Sequence, residues 1–199
     1  MAGGTGVTVV GGLLAGLLAV APPPPVPPAA ALELVDLDGH AVRPFAAAPS
    51  KTYVFLLTRT DCPISNRYAP ELRRLHARFA PAGFVFQLVY PEPSETAEGV
   101  RRHLREFAYP FGAWRDPDHR LVRLVGATVT PEAAVFVPGA SGPRLVYRGR
   151  IDDWYLDFGR ARAAPTTHDL ERVLEAIAAG APPAPRTTPA VGCFLTPAG

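Results

Sequence analysis

Cys62 and Cys193 are the two cysteines of the 199-residue chain, and their thiols are the first candidates for chemistry. Cys62 follows an apolar run at 53–57 and precedes a stretch with helical periodicity. Free backbone N–H groups at the start of a helix stabilise a thiolate, the nucleophilic form of cysteine. Pro63 favours a helix that begins directly after Cys62, because a proline loses nothing at the first helical position. Two interpretations stay open: a reactive thiol at a helix N-terminus, or an inert cysteine buried at the end of a core strand.

Charged and polar neighbours bear on the reactivity of Cys62. Arg59 and Arg67 contribute positive charge that favours a thiolate, whereas Asp61 opposes them. A second cysteine three residues after the first would allow an internal disulfide, but that position holds Ser65. The Ser65 hydroxyl can donate a hydrogen bond to a thiolate, although it cannot form a disulfide.

Alternating strand and helix patterns place Cys62 in an α/β domain. The sequence predicts, in order, a hairpin around Asp38-Gly39, a strand at 53–57, a helix after Cys62 with the apolar stripe Tyr68, Leu72, Leu75 and Phe79, a strand at 84–90, a polar helix from about 95 to 107, a short helix with Asp116 as N-cap and Pro117 in its first position, two antiparallel strands at 133–137 and 145–148, and a last helix ended by Gly180. Strand–helix alternation in the first half predicts parallel strands, to which the second half adds an antiparallel pair. The expected fold is a central mixed β-sheet flanked by helices on both faces, with an N-terminal β-hairpin.

Two prolines mark special backbone positions. Pro70 lies inside the helix predicted after Cys62, where it should kink that helix. Pro131 follows Thr130 directly before the apolar strand at 133–137. An X-Pro bond at the entrance of a strand is a place for a cis peptide, which would expose a backbone edge.

The order of these features resembles the thioredoxin-like superfamily. The shared pattern is a strand, Cys62-x-x-Ser65, Ala69-Pro70 in the first helix, and Thr130-Pro131 before an antiparallel strand pair. The hairpin "LELVDLDGHAV" and the segment "DPDHRLVRLVGATVTPEAAVF" are similar to the redoxin (AhpC/TSA-type) and TlpA-like branch. The resemblance covers residues 32–180.

This resemblance implies a thiol–disulfide oxidoreductase in which Cys62 is the nucleophile. Pro131 would be a cis-proline packed beside Cys62, and the preceding backbone at Thr130 would pair with an extended substrate. Arg59 and Asp61, next to Cys62, are the other candidate substrate-binding residues.

The chain also departs from its relatives. Ser65 replaces the second cysteine of Cys-x-x-Cys, and Asp61 stands where thioredoxins usually carry a tryptophan. Peroxiredoxins carry Pro-x-x-x-Thr-x-x-Cys, but Phe55 and Arg59 occupy the proline and threonine positions. The peroxide-binding pattern is therefore broken.

Cys193, in the Pro-rich tail, is the candidate resolving thiol. Exchange needs a second thiol to attack a mixed disulfide or a sulfenic acid, and the chain holds no other. The sequence favours a Cys62–Cys193 disulfide without deciding whether that bond cycles or is a static cross-link. A bond from Cys193 to another protomer is a further alternative.

Two other groups of residues could contribute to a site. The loop at 152–158 is rich in acidic and aromatic residues, which could line a pocket beside Cys62. We expect instead that the aromatic side chains pack on the core and that the acidic side chains pair with Arg150, Arg160 and Arg162. The five histidines show no ligand spacing, and His76 and His103 are expected to be solvated. No cofactor or metal is expected, because a copper site of this superfamily would need Cys-x-x-x-Cys.

The N-terminal segment predicts export. Residues 7–21 form a 15-residue apolar run, short for a membrane span of about 20 residues and close to a signal-peptide core. Alanines at 29–31 offer a cleavage site, but no Lys or Arg precedes the run, so an uncleaved, loosely membrane-associated segment is the alternative. The predicted domains are the hydrophobic segment with its Pro-rich linker at 1–31, a thioredoxin-like (redoxin) domain at 32–180, and the tail at 181–199.

These observations predict an exported, periplasmic or otherwise extracytoplasmic, thiol–disulfide oxidoreductase. Its expected partners are protein or small-molecule thiols and disulfides together with an external reductant; the net charge of +2 gives no reason to expect nucleic acid. Two alternatives stay open. One is a peroxiredoxin-type peroxidase in which Cys193 resolves a Cys62 sulfenic acid. The other is a non-enzymatic thioredoxin-fold module with a structural disulfide or a metal-handling role.

Overall fold

The structure is a computed structural model that describes residues 1–3 and 28–196. The apolar run at 7–21 lies outside the described residues, so the export segment stays a prediction. None of the helices in the described ranges has the length and apolar character needed to cross a membrane.

The elements follow the predicted order. The helices are α1 (Pro44–Ala47), α2 (Pro63–Arg67), α3 (Ala69–Phe79), α4 (Ala97–Glu106), α5 (Arg120–Val125) and α6 (Asp169–Ala178), with 3-10 turns at Ala29–Ala31 and Ala80–Ala82. The strands are β1 (Leu34–Val35), β2 (Ala41–Val42), β3 (Thr52–Leu57), β4 (Phe84–Tyr90), β5 (Ala113–Arg115), β6 (Val129–Thr130), β7 (Glu132–Val137), β8 (Arg144–Gly149), β9 (Tyr155–Asp157), β10 (Arg160–Ala161), β11 (Arg186–Thr187) and β12 (Cys193–Phe194).

A mixed sheet of eight strands forms the centre of the domain, in the order β11-β8-β7-β3-β4-β5-β1-β2. Strands β3, β4 and β5 are parallel, whereas β7 pairs antiparallel with β3, and β8 pairs antiparallel with β7. The predicted hairpin forms as β1–β2 and extends the sheet beyond β5. The predicted mixed sheet and N-terminal hairpin are confirmed.

Side chains of β3 alternate between two apolar clusters, because successive residues of a strand point to opposite faces of the sheet. Val54 and Leu56 pack in one cluster with residues of α3, α4 and α6. Phe55 and Leu57 belong to the other cluster, which includes residues of α1 and α5. Helices therefore cover both faces, as predicted, and the carboxyl end of β3 leads directly into the segment that carries Cys62.

Pro70 marks a break in the helix that the sequence predicted after Cys62. The helix predicted after Cys62 is interrupted at Tyr68: α2 ends at Arg67, and Pro70 lies in the first turn of α3. A proline is tolerated in a first turn because the N–H groups there have no intrahelical acceptor. The predicted kink is thus a break between two helices.

The predicted start of α5 at Pro117 is wrong. The helix begins at Arg120 with His119 as its N-cap, because the chain first makes a turn that leaves His119 in a left-handed conformation (φ 55°). Asp116 still stabilises the start of α5. Its carboxylate accepts hydrogen bonds from the backbone N–H groups of Arg120, Leu121 and Val122 at 2.6–3.1 Å. Burial raises the pKa of Asp116 to about 6.

The Pro-rich tail crosses the domain after α6 and is anchored at two places. Thr188 is the first anchor: its N–H donates to the Arg148 carbonyl (3.0 Å), and its hydroxyl lies 2.6 Å from the Tyr147 hydroxyl. Gly149 lies against this anchor, where a Cβ would overlap Thr188. The second anchor is β12, which pairs antiparallel with β6.

Candidate active site

Cys62 lies at the N-cap of α2, as predicted. The Ser65 backbone N–H donates to the Cys62 Sγ (3.5 Å), which satisfies one of the free donors at the helix start. The Ser65 hydroxyl oxygen is buried and has no hydrogen-bond partner among the described residues; its donation to a Cys62 thiolate stays a prediction, because Cys62 is disulfide-bonded in this structure. Cys62 itself is 1% exposed and belongs to the apolar cluster of α3, α4 and α6.

Cys62 and Cys193 form a disulfide, with Cα atoms 6.2 Å apart and 131 residues of separation. The bond that the sequence favoured between these cysteines is confirmed. Of the two residues, Cys193 is the more accessible, since it is half-buried.

The Thr130–Pro131 peptide bond is cis, and Thr130 lies directly beside the disulfide. The Thr130 carbonyl oxygen is 3.3 Å from the Cys62 Sγ. Thr130 is also the residue of β6 that pairs with Cys193 of β12. The structure therefore brings together Cys62, Cys193, Thr130 and Pro131, four of the residues that the sequence assigned to the site.

Further contacts hold the tail across the site. The Leu195 N–H donates to the Thr128 carbonyl (3.1 Å), which continues the β6–β12 pairing. Arg59 donates to the Phe194 carbonyl (3.3 Å), and the Thr196 hydroxyl donates to Glu92 (2.9 Å). The segment that carries Cys193 is bound mainly through its backbone, in the way that an extended peptide binds a strand edge.

The charges near Cys62 largely neutralise one another. Arg59 pairs with Asp61 (3.0 Å) and lies 3.6 Å from Glu92. Arg67 extends over the Trp154 ring, with 5.1 Å between guanidinium carbon and ring centroid. Of the two arginines that the sequence placed beside the thiol, Arg59 contacts the tail, and Arg67 stacks on the loop at 152–158.

A buried polar network supports the segment before Cys62, and sequence reasoning missed it. His103 is 3% exposed, so its predicted solvation is wrong. Its Nε2 lies 2.8 Å from the Asn66 Oδ1, its Nδ1 lies 2.8 Å from the Tyr90 hydroxyl, and Asn66 in turn donates to the Thr60 carbonyl (3.1 Å). Because Asn66 Oδ1 can only accept, His103 Nε2 must donate, and a neutral His103 accepts from Tyr90.

Burial lowers the pKa of His103, which is consistent with this neutral form. A sequence signal for its burial was present. His103 follows Val100 by three residues and precedes Phe107 by four, so it lies on the apolar face of α4. His76 is also less exposed than predicted: it is half-buried between Phe86 and Phe111, and burial lowers its pKa.

Glu95 is a second residue that the sequence did not indicate. Its Oε1 accepts a hydrogen bond from the Thr60 N–H (2.6 Å), two residues before Cys62. Its Oε2 is buried and has no hydrogen-bond partner among the described residues. Burial raises the pKa of the Glu95 carboxyl.

The acidic loop at 152–158 is mainly structural, and the predicted pairing of its acids with nearby arginines is confirmed in part. Asp152 accepts from the Tyr68 hydroxyl (2.6 Å), and Asp153 pairs with Arg162 (3.3 Å). Arg150 instead pairs with Asp169 of α6 (2.7 Å), because the chain turns back toward that helix. Trp154 and Tyr155 pack against Tyr68, whereas Phe158 is exposed. A shallow pocket does lie beside the start of α2, lined by Pro63, Ile64, Arg67, Tyr155, Phe158, Gly159 and Ala161.

Comparisons with known proteins define the class of fold. No family model matches the chain, and no curated protein matches it. A crystal structure of an uncharacterized conserved protein from Geobacillus kaustophilus is similar over 86% of this chain and 89% of that one, with 25% identity and a TM-score of 0.70.

Two further structures are similar at lower identity. One is a thiol:disulfide interchange protein of the thioredoxin family from Chlorobium tepidum (19% identity, 80% of this chain, 99% of that one, TM-score 0.52). The other is a secreted Mycobacterium tuberculosis disulfide oxidoreductase (16% identity, 76% of this chain, 97% of that one, TM-score 0.51). The chain has a thioredoxin-like fold, as its sequence predicted.

Proposed function

We propose that this protein is a thiol–disulfide oxidoreductase in which Cys62 is the attacking thiol and Cys193 is the resolving thiol. The observation that carries the proposal is the position of the disulfide. Its Cys62 end lies at the start of α2, and its Cys193 end lies on a tail paired with the edge before Pro131. A helix N-terminus stabilises the thiolate that each exchange step requires.

The reaction has two exchange steps. In the reduced protein, the Cys62 thiolate attacks a substrate disulfide; a Cys62–substrate disulfide forms, and one substrate sulfur leaves as a thiolate. The Cys193 thiolate then attacks the Cys62 sulfur, which forms the Cys62–Cys193 bond and releases the second substrate sulfur. The substrate gains two electrons, and the protein loses two.

An external thiol reductant returns those electrons. Its thiolate attacks Cys193, because Cys193 is half-buried and Cys62 is 1% exposed. Cys62 then leaves as the thiolate that the Ser65 N–H and the start of α2 stabilise. A second reductant thiol attacks the mixed disulfide on Cys193 and leaves both protein cysteines reduced.

Export is part of the proposal. It rests on the apolar run at 7–21 and on the likeness to a secreted disulfide oxidoreductase of Mycobacterium tuberculosis. Disulfide chemistry of this kind suits an oxidising compartment. Loose membrane association through an uncleaved N-terminal segment is the alternative.

A static cross-link is the second candidate role for the disulfide. The near-complete burial of Cys62 favours it, as do the tail contacts made by Arg59, Glu92 and Thr128. The reduction potential separates the two roles. A cycling bond is expected between about −270 and −120 mV, as in known oxidoreductases, and a structural bond below about −300 mV.

The potential is measured by equilibrating the full chain in glutathione buffers and trapping free thiols by alkylation. Turnover is measured with a fluorescent peptide disulfide and dithiothreitol for wild type, Cys62→Ser and Cys193→Ser. Cys62→Ser is expected to be inactive, and Cys193→Ser to accumulate a Cys62–substrate adduct that mass spectrometry detects. Wild-type turnover by Cys62→Ser would refute the proposal. Normal turnover by Cys193→Ser would show that an outside thiol resolves Cys62.

Peroxide consumption tests the peroxidase alternative with the same three proteins. Because Phe55 and Arg59 replace the proline and threonine of the peroxidase pattern, the wild-type rate is expected to stay near that of Cys62→Ser. A rate that clearly depends on Cys62 would favour the peroxidase instead.

A further inference from the structure

Gly192, directly before the tail cysteine, makes the closest approach between tail and domain. It is buried, and an added Cβ would overlap the Thr130 carbonyl oxygen. The same Cβ would lie 2.5 Å from the Thr130 carbonyl carbon and 3.1 Å from the Pro131 nitrogen. All three atoms belong to the backbone, so no side-chain rotation relieves the overlap.

The residues after the cysteine are held differently. Phe194 contributes its carbonyl to Arg59 (3.3 Å), while its side chain is 80% exposed. Leu195 is held by its N–H on the Thr128 carbonyl, and its side chain is half-buried against the apolar cluster of α1 and α5. The edge of β6 therefore excludes any side chain on the residue directly before the cysteine, and it tolerates many side chains on the residue directly after it.

Between its two anchors the tail contacts the apolar cluster of α3, α4 and α6 through Val191 and passes beside a groove. A cavity of about 450 Å³ is lined by Gly126, Thr128, Glu132, Arg148 and the tail residues 187–190. For a substrate to reach the β6 edge, the segment after Thr188 must leave it once the disulfide is reduced, while Thr188 keeps its bonds to Arg148 and Tyr147.

We propose that the β6 edge, which the resemblance already implies as the place where an extended substrate pairs, selects segments in which glycine directly precedes cysteine. Such a segment would bind as residues 192–195 do, through strand pairing with Thr130 and Thr128 and through a carbonyl on Arg59. This inference rests on the proposed function and adds the substrate class to it. In the chain itself, the tail is a tethered copy of the preferred substrate and competes for the same edge.

A chromogenic mixed disulfide tests the selectivity. The probe is the peptide PAVGCFLT, which copies residues 189–196, with its cysteine joined to 5-thio-2-nitrobenzoate. The Cys62 thiolate attacks the peptide sulfur; the peptide–thionitrobenzoate bond breaks, a Cys62–peptide disulfide forms, and thionitrobenzoate leaves with the electron pair. Its absorbance gives the rate, and mass spectrometry confirms the peptide adduct on the full chain.

The comparison uses three peptides and one protein, the full-length Cys193→Ser variant. Replacing the glycine of the probe by alanine is expected to lower the second-order rate constant at least about tenfold, because the added methyl meets immovable backbone. Replacing the phenylalanine by alanine is the matched control, and its expected change stays below about threefold, as for an exposed side chain.

A second variant tests competition by the tail. Gly192→Ala combined with Cys193→Ser leaves a tail that can neither bond to Cys62 nor lie on the edge. This double variant is expected to react with the glycine probe faster than Cys193→Ser alone. Equal rates would show that the tail does not occupy the peptide site. Circular dichroism and thermal unfolding verify that both variants are folded.

A reagent without a peptide distinguishes failure of the proposed function from failure of the glycine selectivity. Ellman's reagent (5,5′-dithiobis-2-nitrobenzoate) reports the reactivity of Cys62 independently of strand pairing. If Cys62 in the folded Cys193→Ser variant does not react with it, the proposed function fails. If it reacts but the glycine and alanine peptides react at equal rates, the glycine selectivity is wrong and the proposed function stands.

Discussion

Removing the Cys62–Cys193 bond should lower the stability of the whole domain. The bond closes a loop with a sequence separation of 131 residues, which contains β4 to β11 and every helix from α2 to α6. The loop-entropy relation gives about 5 kcal/mol for a loop of this length, and measured disulfides more often contribute about 2–4 kcal/mol. We therefore expect Cys193→Ser to be less stable than the oxidised wild type by about 2–5 kcal/mol, which corresponds to roughly 5–20 °C in melting temperature.

Urea unfolding followed by circular dichroism measures this difference. The samples are oxidised wild type, wild type in dithiothreitol, and Cys193→Ser with and without dithiothreitol. The two reduced states should have similar midpoints, and dithiothreitol should leave the variant unchanged. Peptide mapping under non-reducing conditions verifies the bond in the oxidised sample. If the bond is present and the difference is below about 1 kcal/mol, the loop-entropy argument is refuted for this chain.

Three further predictions concern the surroundings of the disulfide. His103→Leu should cost about 1–3 kcal/mol in the free energy of unfolding, because it removes the hydrogen-bond partner of the buried Tyr90 hydroxyl and of the half-buried Asn66. Glu95→Gln should change the pH dependence of stability, because the raised pKa of Glu95 means that the folded wild type binds this proton more tightly than the unfolded chain. The resulting stabilisation is present at low pH and is lost as the pH rises through the folded-state pKa. The variant should show no such loss. Arg59→Gln should speed reduction of the Cys62–Cys193 disulfide by dithiothreitol about three- to tenfold, because it removes a charged hydrogen bond to the tail.

Each of these variants has a control in the same chain. His40→Leu changes an exposed histidine and should shift stability by less than about 0.5 kcal/mol; an equal loss from both histidines would contradict the network argument. Arg101→Gln removes an arginine that contacts the β1–β2 hairpin and should not change the rate of disulfide reduction. For Glu95, parallel pH–stability curves of variant and wild type would contradict the raised pKa.

Local patterns in the sequence determined much of this protein. The apolar run at 53–57 and the Cys62-Pro63 pair predicted a strand that leads into a helix N-cap, since strand burial and helix starts depend on adjacent residues. The Thr130-Pro131 pair before β7 predicted a cis peptide at a strand entrance, and the resemblance to thioredoxin-like proteins placed it beside the thiol. Together with the count of two cysteines, these signals were enough to predict the fold and the disulfide.

Tertiary structure alone decided the features that depend on contacts distant in sequence. His103 is buried because Asn66 and Tyr90, from other elements, satisfy both of its ring nitrogens. Nothing in the local sequence distinguishes Gly192 from other glycines; its importance comes from its close approach to Thr130, some 60 residues earlier in the chain. A polar side chain is buried where partners exist, and a glycine is required where another backbone comes close. Both conditions are set by how the chain packs, and no local pattern carries that information.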